Sequence, residues 1–471
     1  MPVTLREERL LPLSAVDVFR YLRDFSTIEQ WDPGVYRATK RDPGPAVVGT
    51  RFDLHLRLPG GHQPMVYTLI ECHAPSTDAH TPGRLVLAGE GRSFSAHDTL
   101  EITPDGPDRC RLHYTALLQF SGVRDSAMRA LRPWLTRVGR RAVDGLVRAV
   151  TVPALPAPVS RPRLVQRLIL PVAWRFTERG YLRMPDKGLS QRLDGQVAVV
   201  TGPTSGLGLA TACELSRLGA SVILLGRDGQ RLAAAARHIC DFSGADTDRV
   251  EIVEADLLSA QATQRAAEQI RDSAERIDIL VNNAGALFDS HARTVDGRER
   301  ALAINAITPA RLATVLRDRL AEHRGRVINV ASGGMYLKGV SLADMDFTAE
   351  AYDGAKAYAR AKRVLVDLTR HWAASDPDVS YHAMHPGWAA TPGVSKSLPG
   401  FDRVMKPVLR DARMGADTIV WLASTPGLEA LSGQFWLDRE PQPTAVLPRT
   451  DSSAAKRARI VAWMDEELAR S

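Results

Sequence analysis

Cysteine is scarce in this chain. Cys72, Cys110, Cys213 and Cys240 are the only four among 471 residues, with no CxxC pair and no cysteine–histidine cluster at zinc-ligand spacing. That pattern argues against a disulfide framework and a zinc centre; no metal site and a reducing, cytoplasmic compartment are the expectation. Long apolar runs are also missing. No stretch approaches the roughly 20 apolar residues of a membrane span, and the opening "MPVTLREERLLPLS" lacks the apolar segment and small-residue cleavage site of a secretory signal.

What is present is ordinary globular composition, 44% hydrophobic and 24% charged, over a length that calls for two or three units. Positive charge is concentrated: Ser121 to Arg183 holds thirteen arginines against three acids, an excess larger than the net +7 of the whole chain. A solvated helix face, with arginine stems covering apolar surface, explains such a stripe most simply. Its functional alternative is contact between residues 121–183 and an anionic membrane surface, a peripheral location. No aromatic platform accompanies these arginines, and nucleic-acid binding is not expected.

Residues 1–150 read as one α+β unit. "RFDLHLRL", "MVYTLIEC", "RLVLAG", "HDTLEIT" and "CRLHYTALLQF" alternate with the period of half-buried strands. Two helical stretches are expected to bracket them: "SAVDVFRYLRDFSTIEQW", with Ser14 as N-cap, and a long basic helix carrying Leu131, Trp134, Leu135, Val138, Ala142, Leu146 and Val150 on one face. This order, with the "VFRYLRDFSTIEQWDPGV" opening, resembles the helix-grip fold of the START and polyketide-cyclase (SRPBCC) superfamily. The resemblance implies an apolar cavity suited to a lipid, sterol or polyketide. The histidines of this unit are dispersed, and no catalytic constellation is evident in it. Residues 151–192 form a proline- and arginine-rich linker.

From residue 193 to 471 the pattern is that of a doubly wound α/β Rossmann unit. "VAVVT" is a continuous apolar strand of the kind a parallel sheet covers on both faces. Gly202, Gly206 and Gly208 then permit a tight turn that brings backbone N–H groups of a helix N-terminus against a pyrophosphate. The TGxxxGxG spacing resembles the short-chain dehydrogenase/reductase superfamily, and further motifs follow in that superfamily's order: "EADL", "LVNNAG", the asparagine of "ALAINAITPA", "RVINVAS" and "HPGWAATPG". "YARAKR" and "SGQFWLDREPQPTAVLP" narrow the likeness to orphan reductases of the family-member-twelve type, in the retinol-dehydrogenase-like branch.

The resemblance implies that Gly202, Ser205, Gly206, Leu207 and Gly208 cradle the pyrophosphate of a dinucleotide, and that Asp256 and Leu257 meet its adenine. It places Asn283, Ala284 and Gly285 beside the adenine ribose, and Pro386, Gly387 and Thr391 at the nicotinamide. Ser332, Tyr358, Lys362 and Asn305 are the implied catalytic set, Tyr358 and Lys362 also touching the cofactor. An acidic residue ends the second strand in NAD-preferring enzymes; here Gly226 and Arg227 stand there. NADP(H) is therefore expected, with NAD(H) as the alternative and Asp228 as a competing partner for Arg227.

"AYDGAKAYARAK" offers two tyrosine–lysine pairs four residues apart, Tyr352 with Lys356 and Tyr358 with Lys362. Residues six apart on a helix are rotated by about 240°, so both tyrosines cannot face one pocket. Gly354 places the first pair at or before a frayed helix start, and Tyr358 leads into "AKRVLVDLTRHWA". Tyr358 is thus the expected proton donor and acceptor, its pKa lowered by Lys362. The expected activity interconverts a carbonyl and a secondary alcohol on a hydrophobic small molecule held or delivered by the N-terminal unit. A lipid-binding protein with a sensing reductase, and a bifunctional polyketide cyclase and reductase, are the alternatives. Superfamily resemblance also suggests a homo-oligomer.

Overall fold

Alternation in the first unit becomes an antiparallel sheet. The computed structural model describes the chain apart from residues 1–2, 43, 59–60, 77–80, 93, 122–124, 152–154, 159–173, 185–189, 348–351, 391–402, 404, 406–407, 447–449 and 471. Its strands are β1 (Val3–Leu11), β2 (Val35–Lys40), β3 (Arg51–Leu58), β4 (Gly61–His73), β5 (Gly83–Gly91), β6 (Phe94–Pro104) and β7 (Cys110–Phe120), in the order β1-β7-β6-β5-β4-β3-β2. Inward positions alternate along β6, where Ala96, Asp98, Leu100 and Ile102 are buried. One face is thereby committed to the core.

Two details differ from the sequence expectation. A strand, β1, precedes the first helix and pairs with β7 from Val3↔Leu118 to Leu11↔Cys110; its charged outward residues mask the alternation. The first helical stretch is also broken. α1 (Ala15–Arg23) is capped by Ser14, whose Oγ accepts from Asp17 N–H at 3.2 Å. Asp24 then captures Ser26 N–H at 3.2 Å and Ser26 Oγ at 2.6 Å, which ends that helix before α2 (Ile28–Trp31) begins.

The long helix α3 (Asp125–Val150) buries Leu135, Ala142, Leu146 and Val150, whereas Trp134 is exposed. Arg132, Arg137, Arg140, Arg141 and Arg148 are exposed along it. Inside the unit, Tyr114 Oη donates to Asp98 Oδ1 at 3.0 Å, and Tyr67 bonds the same carboxyl. Burial raises the Asp98 carboxyl to about 6, against the pull of both phenols. Strand alternation alone does not point to this buried trio.

In the second unit, β8 (Val197–Thr201), β9 (Ser221–Gly226), β10 (Val250–Glu254), β11 (Ile279–Asn282), β12 (Arg326–Val330), β13 (Ser380–Met384), β14 (Phe435–Leu437) and β15 (Glu440–Gln442) run in the order β10-β9-β8-β11-β12-β13-β14-β15. All neighbours are parallel except β14 and β15. The order reverses between β8 and β11, so a crevice opens beyond the carboxyl ends of these strands. Trp174–Met184 belong to this unit, including the short helix α4 (Glu178–Leu182). Among the described residues of the chain, no helix is long and apolar enough to cross a membrane.

Candidate active site

The glycine turn after β8 is shaped by close approach. Gly202 and Gly206 have φ of +63° and +55°, which side chains disfavour. At Gly208 a Cβ would run into the Gly202 carbonyl and lie 2.5 Å from Asn283 Nδ2. The helix that follows, α5 (Gly206–Arg217), starts at Ser205, whose side chain makes no capping bond. Its first N–H groups are thus left without a side-chain cap from Ser205, an arrangement that suits an anion site.

Asn283 braces this turn from β11. Its Nδ2 donates to the Thr201 and Gly202 carbonyls at 2.9 and 3.2 Å, and Thr201 Oγ1 accepts from Asn283 and Ala284 N–H, both at 2.9 Å. Thr201 was not singled out from the sequence, although it stands in the same TG pair. Leu257 is buried, its carbonyl accepting from Thr308 Oγ1 at 2.6 Å; Asp256 is exposed and accepts Leu258 N–H at 3.1 Å.

Arg227 emerges exposed from the end of β9. Asp228 is not its partner: its Oδ1 accepts Arg231 N–H at 3.0 Å and caps α6 (Gly229–Ser243). An exposed guanidinium at this edge suits a phosphate.

The other half of the crevice brings four predicted residues together. β12 ends beside Ser332, which starts a short turn and whose Oγ accepts Gly334 N–H at 3.2 Å. Across from it runs a helix from Gly354 to Ser375, capped by Asp353. Tyr358 on this helix is half-buried and hydrogen-bonded to the Ser332 side chain. One turn on, Lys362 is only 2% exposed; its Nζ donates to the Val330 carbonyl at 2.7 Å and lies 5.8 Å from the Tyr358 ring centroid.

Asn305 lies in a π-helical turn, Ala303–Ile307, a distortion common at functional sites. Its Nδ2 donates to the Ala286 and Ala301 carbonyls at 2.7 and 2.8 Å, while its buried Oδ1 has no partner among the described residues. A Cβ at Gly285 would stand 2.6 Å from that oxygen and 3.2 Å from Lys362 Nζ. The two polar groups therefore converge over Gly285.

Electrostatics here differ from the expectation in one respect. Burial raises the Tyr358 phenol above its ordinary value, opposed only by the bond to Ser332. Burial also lowers the Lys362 ammonium to about 7. Both groups lose the water that stabilises their charged forms, and burial outweighs any acidification of Tyr358.

Tyr352 stands elsewhere. It precedes the helix, and its Oη donates to the Phe288 carbonyl at 3.2 Å and to Glu299 Oε1 at 3.1 Å. Lys356 turns outward to Asp353 at 2.9 Å. Pro386 and Gly387 follow β13, Gly387 with φ of +76°; Thr391 lies outside the described residues.

A parallel sheet with a glycine turn at its switch point, and a serine, tyrosine and lysine at the adjoining strand ends, define an NAD(P)-binding oxidoreductase. The chain belongs to the short-chain dehydrogenase family, whose sequence model matches residues 196–399. A second model, "Polyketide cyclase / dehydrase and lipid transport", matches residues 2–151. Dehydrogenase/reductase SDR family member 12 of Bos taurus is 38% identical over 303 residues, 63% of this chain and 94% of that protein. A Streptomyces sp. (strain C5) protein, provisionally designated daunorubicin C-13 ketoreductase DnrU, is 33% identical over 56% of this chain and 90% of its own. Retinol dehydrogenase 14 of Mus musculus is 30% identical, covering 60% and 90%.

Proposed function

We propose that the protein is an NADP(H)-dependent oxidoreductase that interconverts a carbonyl and a secondary alcohol on an apolar small molecule. The observation that carries this reading is Ser332 bonded to Tyr358 one helical turn from the buried Lys362. A bound nicotinamide dinucleotide supplies the hydride for reduction and accepts it in the reverse direction. Tyr358 Oη gives its proton to the substrate oxygen, and Ser332 Oγ donates a hydrogen bond to the same oxygen as charge develops there. Lys362 and Asn305 hold the proton path behind the phenol, where their polar atoms converge over Gly285.

The cofactor half of the reading rests on Arg227, exposed where a carboxylate would repel a 2′-phosphate. The substrate class rests on the relatives, one named for retinol and one for the C-13 ketone of daunorubicin, and on the lipid-transport family matched by residues 2–151. On this reading the N-terminal unit holds or delivers the apolar substrate. The test is steady-state reduction of a panel of apolar ketones and aldehydes by the full chain with NADPH and with NADH, alongside mass spectrometry of co-purifying small molecules. Faster turnover with NADPH and an extracted apolar carbonyl or alcohol compound are expected. Preference for NADH, or turnover confined to sugars and other polar carbonyls, would overturn it.

A further inference from the structure

The segment Trp174–Met184 lies between the stretches that the two families match, 2–151 and 196–399, yet it is built into the catalytic half of the second unit. Phe176 is 7% exposed, and its ring meets His385 edge-on with centroids 4.4 Å apart at 78°, and Trp388 at 5.7 Å and 70°. Its carbonyl accepts Trp388 N–H at 2.6 Å. Gly333 follows Ser332 directly, and a Cβ built on it would stand 3.0 Å from Phe176 Cε2 and 2.9 Å from His385 Nε2. The phenyl ring and the imidazole thus back the turn that presents the serine hydroxyl.

Arg410 fixes the backbone of the same segment. It is 1% exposed and bonds Asp438 through both carboxylate oxygens, at 2.6 and 2.9 Å. The same guanidinium donates to the Arg175 carbonyl at 2.6 Å, the Thr177 carbonyl at 3.2 Å and the Pro386 carbonyl at 3.4 Å. One planar fork therefore ties the segment to the residue that opens the Pro386–Trp388 turn, a task its fixed donor geometry suits. A buried ion pair is weak evidence of stability in itself; what this pair supplies is registration between two chain segments.

We infer that Trp174–Met184 is a positioning strap of the active site, through which Phe176 and Arg410 hold the Ser332–Gly333 turn and the Pro386–Trp388 turn in register. The inference rests on the proposed reductase reading. Misplacing a catalytic group by about 1 Å lowers turnover by on the order of 100-fold. Because the bond from Ser332 favours the Tyr358 phenolate, loosening the strap also moves the tyrosine's ionisation upward.

The test uses the full chain with Phe176→Ala and Arg410→Lys, the latter keeping a cation opposite Asp438 while giving up the fork. Expected for both are a fall in kcat of about 10- to 100-fold and an upward move of the Tyr358 limb in the pH–rate profile. A lower Tm with unchanged kcat and unchanged limb per folded molecule would reduce the strap to core packing and overturn the inference. Should Phe176→Ala fail to fold, Arg410→Lys decides on the same readouts. A parent enzyme that reduces no apolar carbonyl with either dinucleotide refutes the reductase reading and the inference with it. An active parent with unaltered variants refutes the inference alone.

Discussion

Tyr352 and Tyr358 carry the same side chain four residues before a lysine, and their surroundings assign them different work. Tyr352 donates its hydroxyl to the Phe288 carbonyl and to Glu299, the residue that caps the helical turn leading to Asn305. Tyr358 keeps its hydroxyl toward Ser332. Arg227 shows the same dependence on setting: Asp228 is committed to its helix cap, and the guanidinium beside it stands exposed. Arg227→Ala is expected to weaken NADPH binding by about tenfold, the worth of one charge-assisted hydrogen bond, and to leave NADH binding unchanged. Titration of protein fluorescence with each dinucleotide checks this; equal weakening of both would show that the arginine acts on the turn and not on the 2′-phosphate.

At the scale of elements, the glycine turn after β8 was legible because backbone geometry dictates residue type directly: no side chain fits at Gly208 between the Gly202 carbonyl and Asn283 Nδ2. The start of the Gly354–Ser375 helix was legible at Gly354, whereas its cap, Asp353, was not singled out. Three features were hidden. The Asp98–Tyr67–Tyr114 trio depends on cross-strand register, Leu100 opposite Tyr114 and Gly89 opposite Tyr67, which alternation within one strand does not fix. The break after α1 turns on a local choice by Asp24 between helix and side-chain capping. The strap's partners, Arg410 and Asp438, are more than 230 residues from Thr177 and Arg175, beyond any spacing argument.

For the whole molecule, each unit has its own core, and the buried ionisable groups of the two respond oppositely to pH. In the first, burial and the nearby Asp32 lift the Asp98 carboxyl, facing Tyr67 and Tyr114, from 3.8 to about 6. A carboxyl that binds its proton more tightly folded than unfolded stabilises the fold at low pH, and that contribution is lost as pH rises through about 6. In the second, burial holds His382 and His385 neutral, lowered from 6.5 to about 3, with Arg326 and Arg410 adding to the effect. Their contribution is present above 6.5 and is lost as pH falls below it. Between pH 7.5 and 5.5, calorimetry should therefore show the transition of the first unit moving up and that of the second moving down. Both moving down together would contradict the assignment of these buried groups.

Turnover by full-chain Tyr358→Phe and Tyr352→Phe, measured beside NADPH affinity, decides which of the two tyrosines carries the proton. Tyr358→Phe should lower kcat by at least about 1,000-fold, consistent with loss of general-acid catalysis, while binding NADPH nearly as the parent does. Tyr352→Phe should keep turnover and lose about 1 kcal/mol of stability with its hydrogen bonds. Retained turnover in Tyr358→Phe, or its loss in Tyr352→Phe alone, would rule out Tyr358 as the proton donor.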